Sequence, residues 1–360
     1  MDRDLIVGLH RDQYGRFDPY LQIYEHILDH NGIKHLRLEA SQPDFWKTVA
    51  TLDLIIFHWV YIDRDQQMAE CLIPTIEKDM GIQCFPNWRT FWHYNSKIKQ
   101  YYLLKNHNLP VIESFIFWDK SEAKKWIDCA QFPAVFKLSR GALSQDVLLV
   151  KDKRHALSLT SRMFGRGIKP GRVPGSCNYR NSRSNLYRKV KYEAWILKKK
   201  FGKQHIEYWW QKDKNYVFFQ EFLAGNSHTT RVTVIGDRAF AFNIKTVKGD
   251  FRAYDMQAVD FDPKAIDIEC IRIAFRISNT LGFQCMAYDF LFTRENEPKV
   301  CEMGYTSYAL DIYKCPGYWD SSLSWYEGHF WPQYFQLMDL LPCLQLKQPK
   351  IDVSVVNKHT

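Results

Sequence analysis

The sequence predicts an α/β fold of the α+β kind, and three observations carry that prediction. Up to about residue 90, short apolar runs alternate with amphipathic segments of helical period, the pattern of a parallel sheet covered by helices. From Asn95 the pattern changes, and apolar strands begin to follow one another. Between these strands lies one long stretch rich in Gly, Pro, Ser, Asn and basic residues, which reads as an insertion.

LIVGLH opens the chain as a buried strand, and FDPYLQIYEHILDHNG follows as a helix, with Asp18 as N-cap, Pro19 at its first position and Gly32 past its end. LDLIIFHW is a second apolar strand, succeeded by a helix through residues 65 to 79 and a short strand, IQCF. After Asn95 come a helix in SKIKQYYLLKNHN, a strand SFIFW, a helix from Ser121, and the strands FPAVFKL and DVLLV. Beyond the insertion stand three strands, YVFFQEFL, TRVTVIG and RAFAFNIKT. A long helix in PKAIDIECIRIAFRISNTLG ends at Gly282, and the strands QCMAYDFLFT and PKVCEM, joined by the turn RENEP, complete the set. The tail after Leu341 is polar and is expected to be loose.

The chain of 360 residues is long enough for two to three domains, and at 46% hydrophobic it can build real cores. The start, MDRDLIVGLH, has no basic segment ahead of an apolar run, so no secretory signal is expected. The longest apolar stretch, LDLIIFHWVYI, is too short to span a bilayer. Nine cysteines without a C-x-x-C pair read as scattered reduced thiols. These features leave a cytoplasmic enzyme or binding protein and argue against disulfide scaffolds, zinc ribbons and integral membrane proteins.

Charge is unevenly placed. Between Arg162 and Lys214 there are fifteen Lys or Arg and three acids, a net of +12 against +9 for the whole chain. The first half of this stretch reads as a long loop. The second, LYRKVKYEAWILKKKFG, reads as a basic helix. It is either a solvated insertion or a docking surface for a polyanion: an acidic glycan, a phospholipid surface or RNA.

Several nucleotide and hydrolase signatures are missing: G-x-x-x-x-G-K-[ST], G-x-G-x-x-G, the kinase H-R-D and D-F-G set, and G-x-S-x-G. A different constellation is present. Lys97 opens a helix. Lys137 ends an apolar strand and leads into a loop of small residues, where Ser139, Gly141 and Ser144 let the backbone approach an anion and Arg140 adds charge. Gln220, Glu221 and Leu223 lie on a strand edge able to offer backbone groups to adenine. Asp289 and Glu302 sit on neighbouring apolar strands, where unpaired carboxylates are costly. Either they are hard oxygen ligands for Mg²⁺ bridging ATP phosphates, or each pairs with a core Arg or Lys. His58, Cys285, Cys301 and Cys315 read as core residues.

In order and spacing, these pieces resemble the ATP-grasp superfamily over roughly residues 1 to 310. The resemblance implies an ATP-grasp fold: a Rossmann-like N-terminal domain over 1–92, a central subdomain over 93–217 carrying the basic insertion 162–214, a C-terminal subdomain over 218–345 and a loose tail over 346–360. It implies ATP and Mg²⁺ as cofactors. Lys97, Lys137, Ser139 and Gly141 would bind phosphate, Gln220, Glu221 and Leu223 adenine, and Asp289 and Glu302 the metal. Arg231 and the Arg252 of GDFRAYD resemble the arginines of ribosomal-protein-modifying glutamate ligases, with Tyr254 in place of an Asn. CPGYWDSSLSWYEGHFWPQ and the opening HRDQYGRFDPYLQIYEHILDHNG look like ATP-grasp proteins of surface-polysaccharide biosynthesis. The chain departs from the family pattern at Ser96, which replaces an Asp, and at Gly304, where the family places a metal-binding Asn. It departs again over Asn226–Thr229, where a ribose-binding acid is expected.

The implied activity is ATP-dependent carboxylate–amine ligation through an acyl phosphate, with the 139–146 loop as a lid. The expected partners are a uronic-acid-bearing glycan or its precursor and an amino acid or small amine, without DNA. The alternatives are a peptide or protein carboxylate, and a non-catalytic polyanion- or RNA-binding protein on a decayed scaffold. The insertion is compatible with peripheral contact at the inner face of a membrane, and the chain with a homodimer.

Overall fold

The computed structural model describes residues 5–11, 19–141, 146–173, 211–246, 251 and 259–353. The first unit is a parallel sheet. Its strands are β1 (Ile6–His10), β2 (Lys34–Leu38), β3 (Leu54–Ile56) and β4 (Gln83–Phe85), hydrogen-bonded in the order β2-β1-β3-β4. Helices α1 (Pro19–His30), α2 (Phe45–Val49) and α3 (Asp63–Pro74) connect them. Helix α1 buries Leu21, Ile23, Tyr24, Ile27 and Leu28, and Gly32 behind it takes φ 66°, the left-handed cap that glycine allows. The helix expected over 65–79 is α-helical only to Pro74 and continues as a π-helical turn over Thr75–Asp79. Strand β2 escapes sequence reading because KHLRL is mostly solvent-facing and buries only its last residue. The expected N-cap, Asp18, lies outside the described residues.

A short helix α4 (Trp88–Phe91) and helix α5 (Lys97–Asn106) lead into a second, antiparallel sheet. It consists of β5 (Ser114–Phe117), β6 (Ala134–Lys137), β7 (Val147–Val150) and β8 (Val217–Glu221), in the order β5-β8-β6-β7. Helices α6 (Lys120–Cys129) and α7 (Lys153–Met163) supply Ala123, Ile127, Ala156, Leu159 and Met163 to its core. The helix α7 was not anticipated, and it carries the first two residues of the basic stretch. Residues 174–210, including the expected basic helix, lie outside the described residues.

The third sheet has seven strands: β9 (His228–Ile235), β10 (Arg238–Lys245), β11 (Val259–Asp260), β12 (Cys285–Phe292), β13 (Pro298–Gly304), β14 (Gly317–Asp320) and β15 (Trp325–Glu327). Helix α8 (Ile268–Leu281) lays Cys270, Ile271, Ala274, Ile277 and Leu281 on one face, against Val232, Val234, Met286, Tyr288 and Phe290. Each buried Val, Ile, Leu, Phe or Met side chain among them stabilises the fold by about 1.5–3 kcal/mol relative to exposure. On the other face, helices α9 (Ala309–Lys314) and α10 (Pro332–Leu340) cover Ile235, Phe240, Phe242 and Cys285. Part of the expected loose tail is fastened. Leu346 is buried, and Asn31 exchanges two hydrogen bonds, 2.8 and 2.9 Å, with the Lys347 backbone. Among the described residues, no helix is long and apolar enough to cross a membrane.

Candidate active site

Alternation along a strand sends every second side chain to the same face, so charges can share a row only if register aligns them. Here it does. Arg231 on β9 pairs directly with Asp289 on β12, and Asp289 pairs directly with Glu302 on β13. Arg231 grips Asp289 with two parallel bonds, Nε–Oδ1 at 2.7 Å and Nη2–Oδ2 at 2.8 Å. Burial opposes the charge on Arg231, but Asp289 more than offsets it and raises the guanidinium's pKa. The strand register shifts just beyond Asp289, between Asp289 and Phe290. Cys301 stands between Val300, which pairs with Phe290, and Glu302, which pairs with Asp289.

The start of α5 brings Lys97 to this row. Lys97 Nζ lies 3.0 Å from Glu302 Oε1 and donates to the Gly141 carbonyl at 2.8 Å, while its backbone N–H donates to Ser139 O at 2.9 Å. Ser96, where the resemblance led to the expectation of an Asp, caps α5 and shares a 3.2 Å contact between its hydroxyl and that of Ser139. Gly141 has φ 115°, a backbone conformation that side-chain-bearing residues rarely adopt. It donates to the Asn95 side chain at 3.2 Å. The small-residue loop is thus pinned at Ser139 and Gly141. Ser144 and the rest of 142–145 fall outside the described residues.

Lys137 is buried, and its ammonium donates to the Cys301 thiol at 3.3 Å. Burial pushes the thiol's pKa up, with Lys137 pulling the other way. Neutral sulfur is a weak acceptor, so this contact holds the lysine loosely. Lys97, Gln100, Phe218, Gln220, Cys301 and Glu302 line a narrow cleft between the second and third sheets.

Not every expected ligand reaches that cleft. Gln220 lines it, but its amide nitrogen donates to the Ser114 hydroxyl at 3.0 Å. The backbone N–H of Glu221 is used by Glu113 O at 2.9 Å, and its side chain is exposed. The Leu223 carbonyl accepts from Asn226. Asn226 stands in the stretch where a ribose acid is expected, and its amide ties instead to both backbone groups of Phe292 on β12. Arg140, expected to add charge for an anion, is committed elsewhere. Its guanidinium donates to Asp63, to Gln211 O at 3.1 Å and to Asp213 at 3.3 Å, joining the loop to α3 and to the end of the insertion. Arg252 lies outside the described residues.

Sequence reading missed Asn95, Asp213 and Tyr216, which fix the loop. Tyr216 receives the Ser139 N–H at 2.7 Å and donates to Asp213 at 2.8 Å. Only a fold brings residues 77 apart into contact.

The Asp289–Glu302 pair offers hard carboxylate oxygens on adjacent strands, a donor set that suits Mg²⁺ when phosphate and water complete the shell. Among the described residues no group of three or more His, Cys, Asp or Glu gathers into a ready-made metal cage. Gly304 adds no donor to the two acids.

No family model matches the sequence, and no curated protein matches it. Solved structures do. N5-carboxyaminoimidazole synthetase from Staphylococcus aureus superposes with a TM-score of 0.56 at 9% identity, over 96% of this chain and 80% of that one. The ATP-grasp ligase PsnB, complexed with a minimal precursor, gives 0.51 at 15% identity over 87% and 94%. The D-cycloserine synthetase DcsG gives 0.51 at 13% identity over 85% and 93%.

The fold is ATP-grasp.

In this ATP-grasp fold the cleft between the second and third sheets holds Lys97, Gln220 and Glu302. Lys137 reaches it through Cys301, and Arg231 joins it through Asp289.

Proposed function

We propose that this chain is an ATP-dependent carboxylate–amine ligase. One observation carries the reading: the three-strand row Arg231–Asp289–Glu302 faces two buried lysines across a cleft. Each charge in that row now leans on another site residue or on a weak acceptor, so a polyphosphate can replace those contacts without stranding a charge. Lys137 would exchange the Cys301 thiol, and Lys97 the Gly141 carbonyl, for phosphate oxygens. Mg²⁺ held by Asp289 and Glu302 would neutralise phosphate charge. The substrate carboxylate oxygen attacks the γ-phosphorus, the bond to the bridging oxygen breaks, and ADP departs. The amine nitrogen then attacks the acyl carbon, phosphate leaves with the bonding pair, and the amine's proton passes to phosphate. Arg231 would stabilise the oxyanion that forms on the acyl carbon.

For the substrate, a uronic-acid-bearing glycan or its precursor is the reading we favour, amidated by an amino acid or small amine. The net +12 between Arg162 and Lys214 supports an acidic acceptor. The assay is ADP release by the pure protein with Mg²⁺ against a panel of uronic acids and amines. Neutralising Lys198, Lys199 and Lys200 together is expected to raise the acceptor KM at low salt. The effect should shrink near 0.15 M salt, where the Debye length is about 8 Å. Turnover with peptide carboxylates alone would replace the glycan, and no ADP release with either class would leave a polyanion-binding scaffold.

A further inference from the structure

The cleft is lined by apolar side chains, among them Leu104, Phe218 and Val300, as well as by the charged Lys97 and Glu302. Apolar walls suit a flat base, but telling one purine from another takes a placed hydrogen-bonding group. Two of the neutral polar side chains in the lining are already spent. The Gln100 amide nitrogen donates to His93 O and Met303 O, and its oxygen accepts from Met303 N. The Tyr101 hydroxyl donates to Glu113 at 2.8 Å.

Gln220 is different. Its amide nitrogen donates to Ser114 Oγ, yet its oxygen accepts no hydrogen bond among the described residues. The residue is 4% exposed overall, and that oxygen is not one of the polar atoms sealed in the core without a partner. It opens on the cleft that Gln220 lines. Strand register puts it where a nucleotide would be read. Gln220 pairs directly with Val135, two residues before Lys137, so it shares a face with that lysine.

The direction of the amide is set by Ser114, which pairs directly with Gln220 from the other side. The Ser114 hydroxyl has one proton, and it donates to the Ile112 carbonyl at 3.0 Å. It therefore meets Gln220 with a lone pair, which only the nitrogen end of the amide can answer. An amide turned by 180° exchanges donor for acceptor with almost no change of shape. Ser114 holds it one way round, and the cleft is left with an acceptor.

We propose that Ser114 is a positioning residue for base selectivity: it locks the Gln220 oxygen toward the cleft, so that the site takes a 6-amino purine and rejects a 6-oxo purine. This rests on the ATP-dependent reading and adds what reads the base. The 6-amino group of adenine supplies the N–H donor that the oxygen lacks. A 6-oxo purine sets a carbonyl oxygen against the amide oxygen and leaves both unsatisfied, which is how a hydrogen-bonding site rejects a near-isostere.

The test is isothermal titration of the full chain with Mg²⁺, comparing ATP with inosine triphosphate, whose base differs at position 6 and in the proton at N1. Wild type should bind inosine triphosphate about tenfold more weakly than ATP, or worse. Ser114→Ala frees the amide to turn, and the ratio should shrink to about threefold or less, with inosine triphosphate binding more tightly than it does to wild type. A packing role for Ser114 would lower both affinities alike and leave the ratio unchanged. Gln220→Glu carries oxygen at both ends, so it should keep the preference for ATP even when Ser114→Ala is added, although its charge weakens both nucleotides. Melting curves check that each variant folds. If Ser114→Ala does not fold, Gln220→Met, which deletes the acceptor, should bring the ratio toward one. Equal affinities in wild type, or an unchanged ratio in the folded Ser114→Ala or Gln220→Met protein, overturns the inference. No ATP binding at all overturns the nucleotide site and this inference with it. Selective ATP binding without ADP release in the ligase assay sinks the ligase reading alone and leaves the base reading standing.

Discussion

The N-terminal unit and the third sheet handle buried polar groups in opposite ways. In the N-terminal unit and the segment leading out of it, the buried histidines are kept neutral. His10 is packed among Phe45, Phe57 and Trp59, and burial lowers its pKa to about 4. His93 is fully buried beside Phe283, neither ring nitrogen has a hydrogen-bond partner, and burial lowers its pKa to about 3, with the Lys99 charge adding to the effect. On the third sheet, Arg231 and Asp289 answer each other across a strand, and Glu302 is answered by Lys97 across the cleft. What differs is whether an opposite charge is supplied. The buried neutral rings serve packing, and the paired charges at an open cleft are placed to exchange partners.

The largest way to break this contrast is to remove an acid from the row. Glu302→Gln and Asp289→Asn are each expected to cut Mg²⁺-dependent kcat by about a hundredfold or more, the several kcal/mol of a metal–phosphate clamp. Glu302→Gln is the cleaner probe, since Asp289→Asn also deprives Arg231 of its bidentate partner. Steady-state ADP release checks both, and wild-type rates would sink the metal assignment.

The histidine side is sharpened by acid. The ordinary histidine value is 6.5 and the folded His93 value about 3, so its contribution to stability is complete above 6.5 and is lost as pH falls toward 3. Between pH 7 and 4 this one ring should remove about 3 kcal/mol. His93→Phe should therefore lose less stability than wild type over that interval. Denaturant titrations at both pH values measure it, and parallel losses would mean that the ring does not stay neutral in the fold.

The smallest expected effect is at Lys137. Lys137→Met should weaken ATP binding by about 10- to 100-fold, the loss of a charge-assisted bond of roughly 1.5–3 kcal/mol. Isothermal titration reads it directly, and unchanged affinity would make the lysine a packing partner of Cys301.

Much of the architecture is legible in single segments. The long helix ending at Gly282 and the strands bearing Asp289 and Glu302 each announce themselves through apolar period and local stop signals. Helix α9, with six residues, is too short for a period to emerge, and β2 hides behind its exposed polar side chains.

Composition and spacing by themselves determined the α/β class, the longer elements and the set of charged residues worth following, because period and capping act over a few neighbours. The tertiary structure decided which charges meet. Register across three strands placed Arg231, Asp289 and Glu302 in one row, and the loop pinned to α5 set Lys97 against Glu302 while turning Arg140 away to Asp63 and Asp213. The physical reason is range: helix and strand preferences are local, whereas a charge is satisfied only by whatever the folded chain brings within a few ångströms of it.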